Sequence, residues 1–308
     1  FLDGTGGTPT TFPQPPEDED DGSESDHVKV PVPAKGYIEG DVNYKTDDCA
    51  EGEDCHMLIL SPGTKELFEL YHVHQTAGKM TGALSLWKLD KTYPRSNRGQ
   101  GCSSADAAGM PIAPGLIGYK ETKAGAIKHA LRFIIRNDYV RGNATATEND
   151  RDTPNNVYPG SHGSSRGQSP KGVPYGARFR LKAAVDEGIA KSPGAKALIK
   201  ALKTYGMIMA DGGNIPLVAE SAKVSNDKDG SATWEGLLGP RDLGGLKPSD
   251  FEVVSIPRAD PSKGDSGWGH DPRYRIDGEC DALWQQDRSR LQRGSREYCY
   301  RKLYLQPE

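Results

Sequence analysis

Six side chains carry the functional groups from which acidic-carbohydrate chemistry is built. Arg178, Arg180 and Lys182 occupy alternate positions of a strand-like run, which puts three bases on one sheet face. His129 stands beside Lys128 in a second alternating run, Tyr205 closes a helical pattern, and His162 sits in the Gly/Ser-rich stretch 158–165. A concave face of this kind binds acidic sugars. It can also act on uronic acids as a lyase, a base taking the proton beside a carboxylate that a cation neutralises. The same spacing describes a solvated strand face with a hydrogen-bonded histidine. No residue is therefore assigned as catalytic, and a protein without enzymatic activity is favoured over a polysaccharide lyase or glycoside-active enzyme.

Metal chemistry has fewer supports. His72 and His74 share a strand face, but spacing names no third ligand. The stretch 226–231 (Asn-Asp-Lys-Asp-Gly-Ser) resembles half a calcium loop without the terminal bidentate Glu. Asp47, Asp48, Glu51, Glu53 and Asp54 could gather a structural calcium ion or form a solvated acidic loop. No cofactor is expected. There is no phosphate-binding Gly loop and no Gly-x-Ser-x-Gly elbow.

Covalent chemistry is the remaining class. The five cysteines stand at 49, 55, 102, 280 and 299 without a CxxC pair. Disulfides Cys49–Cys55 and Cys280–Cys299, with Cys102 left over, suit an oxidising, extracellular setting; five free thiols would suit a cytosolic one. Asn143-Ala144-Thr145 is an N-glycosylation sequon, and Thr8, Thr10 and Thr11 lie where O-linked sugars are tolerated.

The elements that must position these groups read as mainly β. Strand-like runs cover 56–60, 65–72 and 82–89, the first two joined by the turn Ser61-Pro62-Gly63-Thr64. Long alternating runs follow at 126–135 and 177–185, and a short capped helix is expected over 103–109 with Ser104 as its N-cap. The clearest helix spans 194–205, where Ala197, Leu198, Ala201, Leu202 and Tyr205 share a face before Gly206. A buried strand is expected at 207–210 and one more strand at 251–256. The expected architecture is one β-rich domain over 34–308, a β-sandwich or jelly-roll-like body with a few short helices. An extended arm, residues 1–33, precedes it.

Several blocks also resemble a broad family of secreted, mostly bacterial proteins of unassigned function. They are 102–121 (CSSADAAGMPIAPGLIGYKE), 125–133 (GAIKHALRF), 176–183 (GARFRLKA) and 201–213 (ALKTYGMIMADGG), preceded by Asp54-Cys-His56-Met-Leu-Ile and Glu66-Leu-Phe-Glu-Leu-Tyr71. The blocks fall in order over residues 54–256. The resemblance implies a fold and secretion and leaves the chemistry open. Cys102 and the polar stretch 142–171 depart from the family pattern, and the acidic arm lies outside it.

The net charge of −4 hides an uneven distribution. Residues 1–27 hold eight acids and no Lys or Arg, leaving 39 bases against 35 acids in the other 281 residues, a surplus of +4. So small a surplus argues against nucleic-acid binding. No apolar run approaches the roughly 20 residues of a membrane helix. The start at Phe1 reads as a processed chain.

The arm combines a Pro-rich stretch, the acidic run Glu17, Asp18, Glu19, Asp20 and Asp21, and the apolar alternation Val28, Val30, Val32. Pro31 and Pro33 confine that alternation to a sheet edge or strand end. Fully extended, 27 residues reach on the order of 90 Å. Such an arm either solubilises the body or adds a strand to a neighbour's sheet, and head-to-tail repetition of the second arrangement makes a filament. The favoured expectation is an extracellular structural glycoprotein whose partners are other copies of itself and covalent glycans. The alternative is a carbohydrate-active protein using the basic face.

Overall fold

The computed structural model describes residues 1–13, 25–39, 55–76, 78–93, 97–98, 104–142, 156–161, 169, 171–214, 216–221 and 233–254. The chain is mainly β, with ten short strands and two α-helices among these residues. Its described residues group into two compact units, one within Asp3–Ala105 and the other made of Phe1–Leu2 with residues 106–254.

The first of these units is built on a sheet of order β1-β4-β5-β6: β1 (Leu2–Asp3), β4 (Met57–Ser61), β5 (Glu66–Thr76) and β6 (Lys79–Lys88). Strands β4, β5 and β6 form an antiparallel meander in which Met57, Leu70 and Leu84 stand in one cross-strand row and Leu60, Leu67 and Trp87 in another. The first row, with Ile59 and Phe68, lines one buried face of the sheet, and the second lies on the opposite face, where Leu67 and Trp87 are buried. The β4–β5 turn falls at the expected Ser61–Thr64, where Lys65 N donates to Pro62 O (3.3 Å). A bulge between Tyr71 and His74 interrupts the β5–β6 ladder, and His72 sits there at φ 53°.

Where the sequence predicts an arm standing off a single domain, the described parts of residues 1–33 are packed. Strands β2 (Thr8–Thr10) and β3 (Val30–Val32) pair antiparallel, Pro9 facing Pro31. Val30 and Val32 are buried and Val28 is half-buried, while His27 and Lys29 are exposed. The alternation is thus oriented inward against the chain's own residues.

The second unit holds a mixed sheet of order β10-β8-β9-β7: β7 (Leu131–Ile135), β8 (Arg178–Leu181), β9 (Met207–Gly212) and β10 (Phe251–Val253). Strands β7 and β9 run parallel, whereas β8 is antiparallel to both β9 and β10. Helix α1 (Tyr119–Lys123) and helix α2 (Pro193–Thr204) accompany it. Ser192 caps α2 by accepting from Ala195 N (3.2 Å), and Pro193 fits the first turn because its missing N–H would have no helical partner. The helix stops at Gly206, whose φ of 75° suits glycine and whose N–H returns to Ala201 O (3.1 Å). Leu198, Ile199 and Leu202 bury against Ile117, Ile127, Leu131 and Leu181, each contributing about 1.5–3 kcal/mol. On the other core, Phe133 and Phe179 meet edge to face at 5.6 Å.

Two local expectations need correction. Residues 104–110 form successive turns rather than a helix, because Ala108 N donates to Ala210 O on β9 (3.0 Å) and to Asp106 Oδ1 (2.8 Å) instead of up a helical ladder. The runs 126–135 and 177–185 shrink to β7 and β8, since the flanking residues turn off to other partners. Lys182 N, for example, donates to Asp250 O (2.9 Å).

Candidate functional site

The six side chains of the basic strip do not gather at one described site. Arg180 is exposed and holds Glu252 of β10 through Nε (2.8 Å) and Nη2 (2.6 Å). Lys182 lies just past the end of β8, its Nζ donating to Ser249 O (2.7 Å), and Arg178 is half-buried. His129 is engaged at both ring nitrogens, Nε2 with Glu121 Oε1 and Nδ1 with Ala130 O, each at 2.9 Å. Tyr205 is 40% exposed at the end of α2. His162 lies outside the described residues. Lys182 does line an open cavity of about 620 Å³, together with Val185, Ile189, Lys247, Asp186 and Asp250. Its two lysines face two aspartates, so its walls carry no net charge.

His72 and His74 do come together, their rings 4.5 Å apart and edge to face, with Tyr71 beside His72 and His56 beyond it. Among the described residues no group of three or more His, Cys, Asp or Glu is placed to hold a metal ion. Cys55 is disulfide-bonded. Cys49, Cys102, Cys280 and Cys299 lie outside the described residues. So do Asn143, Glu17, Asp18, Glu19, Asp20, Asp21, the acidic stretch 47–54 and the calcium-like stretch 226–231.

Two charged clusters escaped the sequence reading. In one, Arg132 projects from β7 into the interior and places Nη2 3.0 Å from Asp106 Oδ2 and 3.9 Å from Asp211 Oδ2. Asp106 is fully buried, and two acids share one guanidinium. Burial is the main cause that pushes the Asp106 carboxyl up to about 6, with Asp211 adding to it and Arg132 opposing. The Arg132 Nε is buried without a hydrogen-bond partner. All three residues fall in the resemblance blocks, but period-two counting puts Arg132 on the face opposite Leu131 and Phe133 and so suggests solvent.

The other cluster is where the arm meets the first sheet. The outer edge of β6 is covered by chain from the N-terminal region: Gly82 N donates to Pro13 O (3.0 Å), Leu84 N to Ser25 Oγ (2.9 Å) and Leu86 N to Asp26 Oδ2 (2.7 Å). Asp26 N returns a bond to Leu84 O (2.9 Å). Asp26 also pairs with Arg98, both side chains at most 6% exposed, and Arg98 stacks over Trp87 at 5.5 Å. Farther along the chain, Gly4 N donates to Leu60 O of β4 (2.8 Å). The arm therefore satisfies the main-chain groups of a sheet edge as an added strand would, using two side chains in place of backbone. Composition alone counts Asp26 as one more solvated acid; its partner Arg98 is 72 residues away, and no local pattern announces it.

Comparison with protein families, curated proteins and solved structures finds no match for this chain. Among the described residues, no helix is long and apolar enough to cross a membrane.

Proposed function

We propose that this protein is an extracellular structural glycoprotein that self-assembles into filaments by exchanging its N-terminal arm between neighbouring copies. The observation that carries the proposal is the docking of the arm on the first sheet through edge hydrogen bonds at Gly82, Leu84 and Leu86. An arm from a second copy can make the same contacts, so exchange costs no interaction energy, and concentration and the connecting segments decide the outcome. Passed head to tail, the exchange stays open and grows a filament. The −8 carried by residues 1–27 and the +4 of the remainder favour encounter between copies. The Cys55 disulfide supports an oxidising compartment. The sequon at Asn143 and the threonines at 8, 10 and 11 suit a glycan-bearing exterior, as does the resemblance to secreted proteins.

Sedimentation velocity and negative-stain imaging over a concentration series test the proposal. Wild type is expected to form concentration-dependent oligomers or filaments, and Asp26→Ala to abolish them. A wild type that stays monomeric throughout sinks it.

A further inference from the structure

The open cavity of about 620 Å³ at the end of β8 has the volume of a small-molecule site and a balanced set of charges. It lies between two stretches of the second unit, 182–189 and 245–250, joined where Lys182 N donates to Asp250 O (2.9 Å). Each stretch contributes one lysine and one aspartate: Lys182 and Asp186 from the first, Lys247 and Asp250 from the second. Val185 and Ile189 line it too, half-buried and packed on the α2 core.

Opposite charges lining one cavity can pair across it, yet neither lysine forms an ion pair with either aspartate. Backbone groups hold three of the four instead. Asp186 Oδ1 accepts from Gly188 N (2.9 Å), Asp250 Oδ2 accepts from Lys247 N (2.7 Å), and Lys182 Nζ donates to Ser249 O (2.7 Å). These bonds orient the side chains and leave Asp186 Oδ2, Asp250 Oδ1 and the Lys247 ammonium without a partner among the described residues. Gly245 lets the second stretch come close to the apolar lining, since a Cβ there would fall 2.7 Å from Ile189 Cγ1. The cavity therefore presents separated charges of both signs around an apolar patch, largely set before any ligand arrives.

We propose that this cavity binds a small zwitterion with an apolar body, an amino acid or short peptide bearing hydrophobic side chains. The ligand's ammonium takes the open carboxylate oxygens of Asp186 and Asp250, and its carboxylate takes the ammonium groups of Lys247 and Lys182. Its apolar side chains cover Val185 and Ile189. A polyanion gains little here, because each lysine that attracts it is accompanied by an aspartate that repels it. A neutral apolar molecule would strip water from the charges and return no hydrogen bond.

Methyl chemical-shift mapping on the intact chain tests this with leucyl-leucine and, to separate a peptide from a single amino acid, with free leucine. At least one of the two is expected to bind with Kd of about 1 mM or tighter and to shift the methyl signals of Val185 and Ile189. Removing either ligand charge, by N-acetylation or C-terminal amidation, should weaken binding at least tenfold. Lys247→Gln should weaken the zwitterion by a similar factor and leave the amidated ligand, which has no carboxylate, unchanged. No shift at Val185 and Ile189 with either ligand up to about 10 mM overturns the proposal. So does equal binding of the acetylated or amidated form, or tighter binding of polygalacturonate than of the zwitterion. None of these readouts depends on self-assembly.

Discussion

Replacing Asp26 by Ala removes the residue that fastens the arm to β6. In the folded chain this carboxylate is 4% exposed, accepts from Leu86 N at 2.7 Å and pairs with Arg98, itself 6% exposed. Deleting one member of a buried ion pair costs about 3–5 kcal/mol, chiefly because the opposite charge stays buried. The lost charge-assisted bond to Leu86 N falls within that figure rather than adding to it, since the groups form one network. With a urea slope of about 2 kcal/mol/M, the unfolding midpoint should fall by roughly 2 M. Asp26→Asn retains an acceptor for Leu86 N and should fall between the variant and wild type. Hydrogen exchange locates the effect: the amides of Leu84 and Leu86 should lose protection in Asp26→Ala, whereas those of α2 should not. A midpoint shift equivalent to less than about 1 kcal/mol, the range of exposed pairs, with unchanged exchange at Leu84 and Leu86, refutes the docking described for Ser25 and Asp26.

Asp106 makes a pH-dependent contribution of definite sign. Its folded value of about 6 lies above the ordinary 3.8, so the native state holds the proton more tightly, and the contribution is present below about pH 4 and lost as pH rises through 6. Urea midpoints at pH 4, 5, 6 and 7 should show the difference between wild type and Asp106→Asn shifting against wild type as pH rises; a constant difference contradicts this. Gly176→Ala should cost at least about 1–3 kcal/mol, because φ is 81° and a Cβ would overlap Val157 O. Gly63→Ala, which meets nothing within 4 Å, serves as its thermal-melt control. Arg180→Ala should change stability by no more than about 1 kcal/mol, as Arg180 and Glu252 are 50% and 41% exposed. A larger loss in the same melts would show that the pair does more than face solvent.

What the sequence determined on its own was local. The β4–β5–β6 meander, the α2 helix with its stop at Gly206 and the strand-like alternation of Val28, Val30 and Val32 follow from period, turn chemistry and capping, which act between residues a few positions apart; that the valines pack against this chain's own residues does not. Helix α1 was missed because five residues are too few to show a period. Tertiary structure decided where charges end up. Arg180 found Glu252 on a neighbouring strand, Asp26 found Arg98, and Arg132 turned inward to two aspartates, each pairing spanning dozens of residues. A strand's two faces look alike in sequence until sheet order and covering elements fix which is buried, and burial in turn determines what a charge costs and which partner it needs. The six candidate groups were legible as types. Their scattering was not, because convergence on a site is a property of the packed chain.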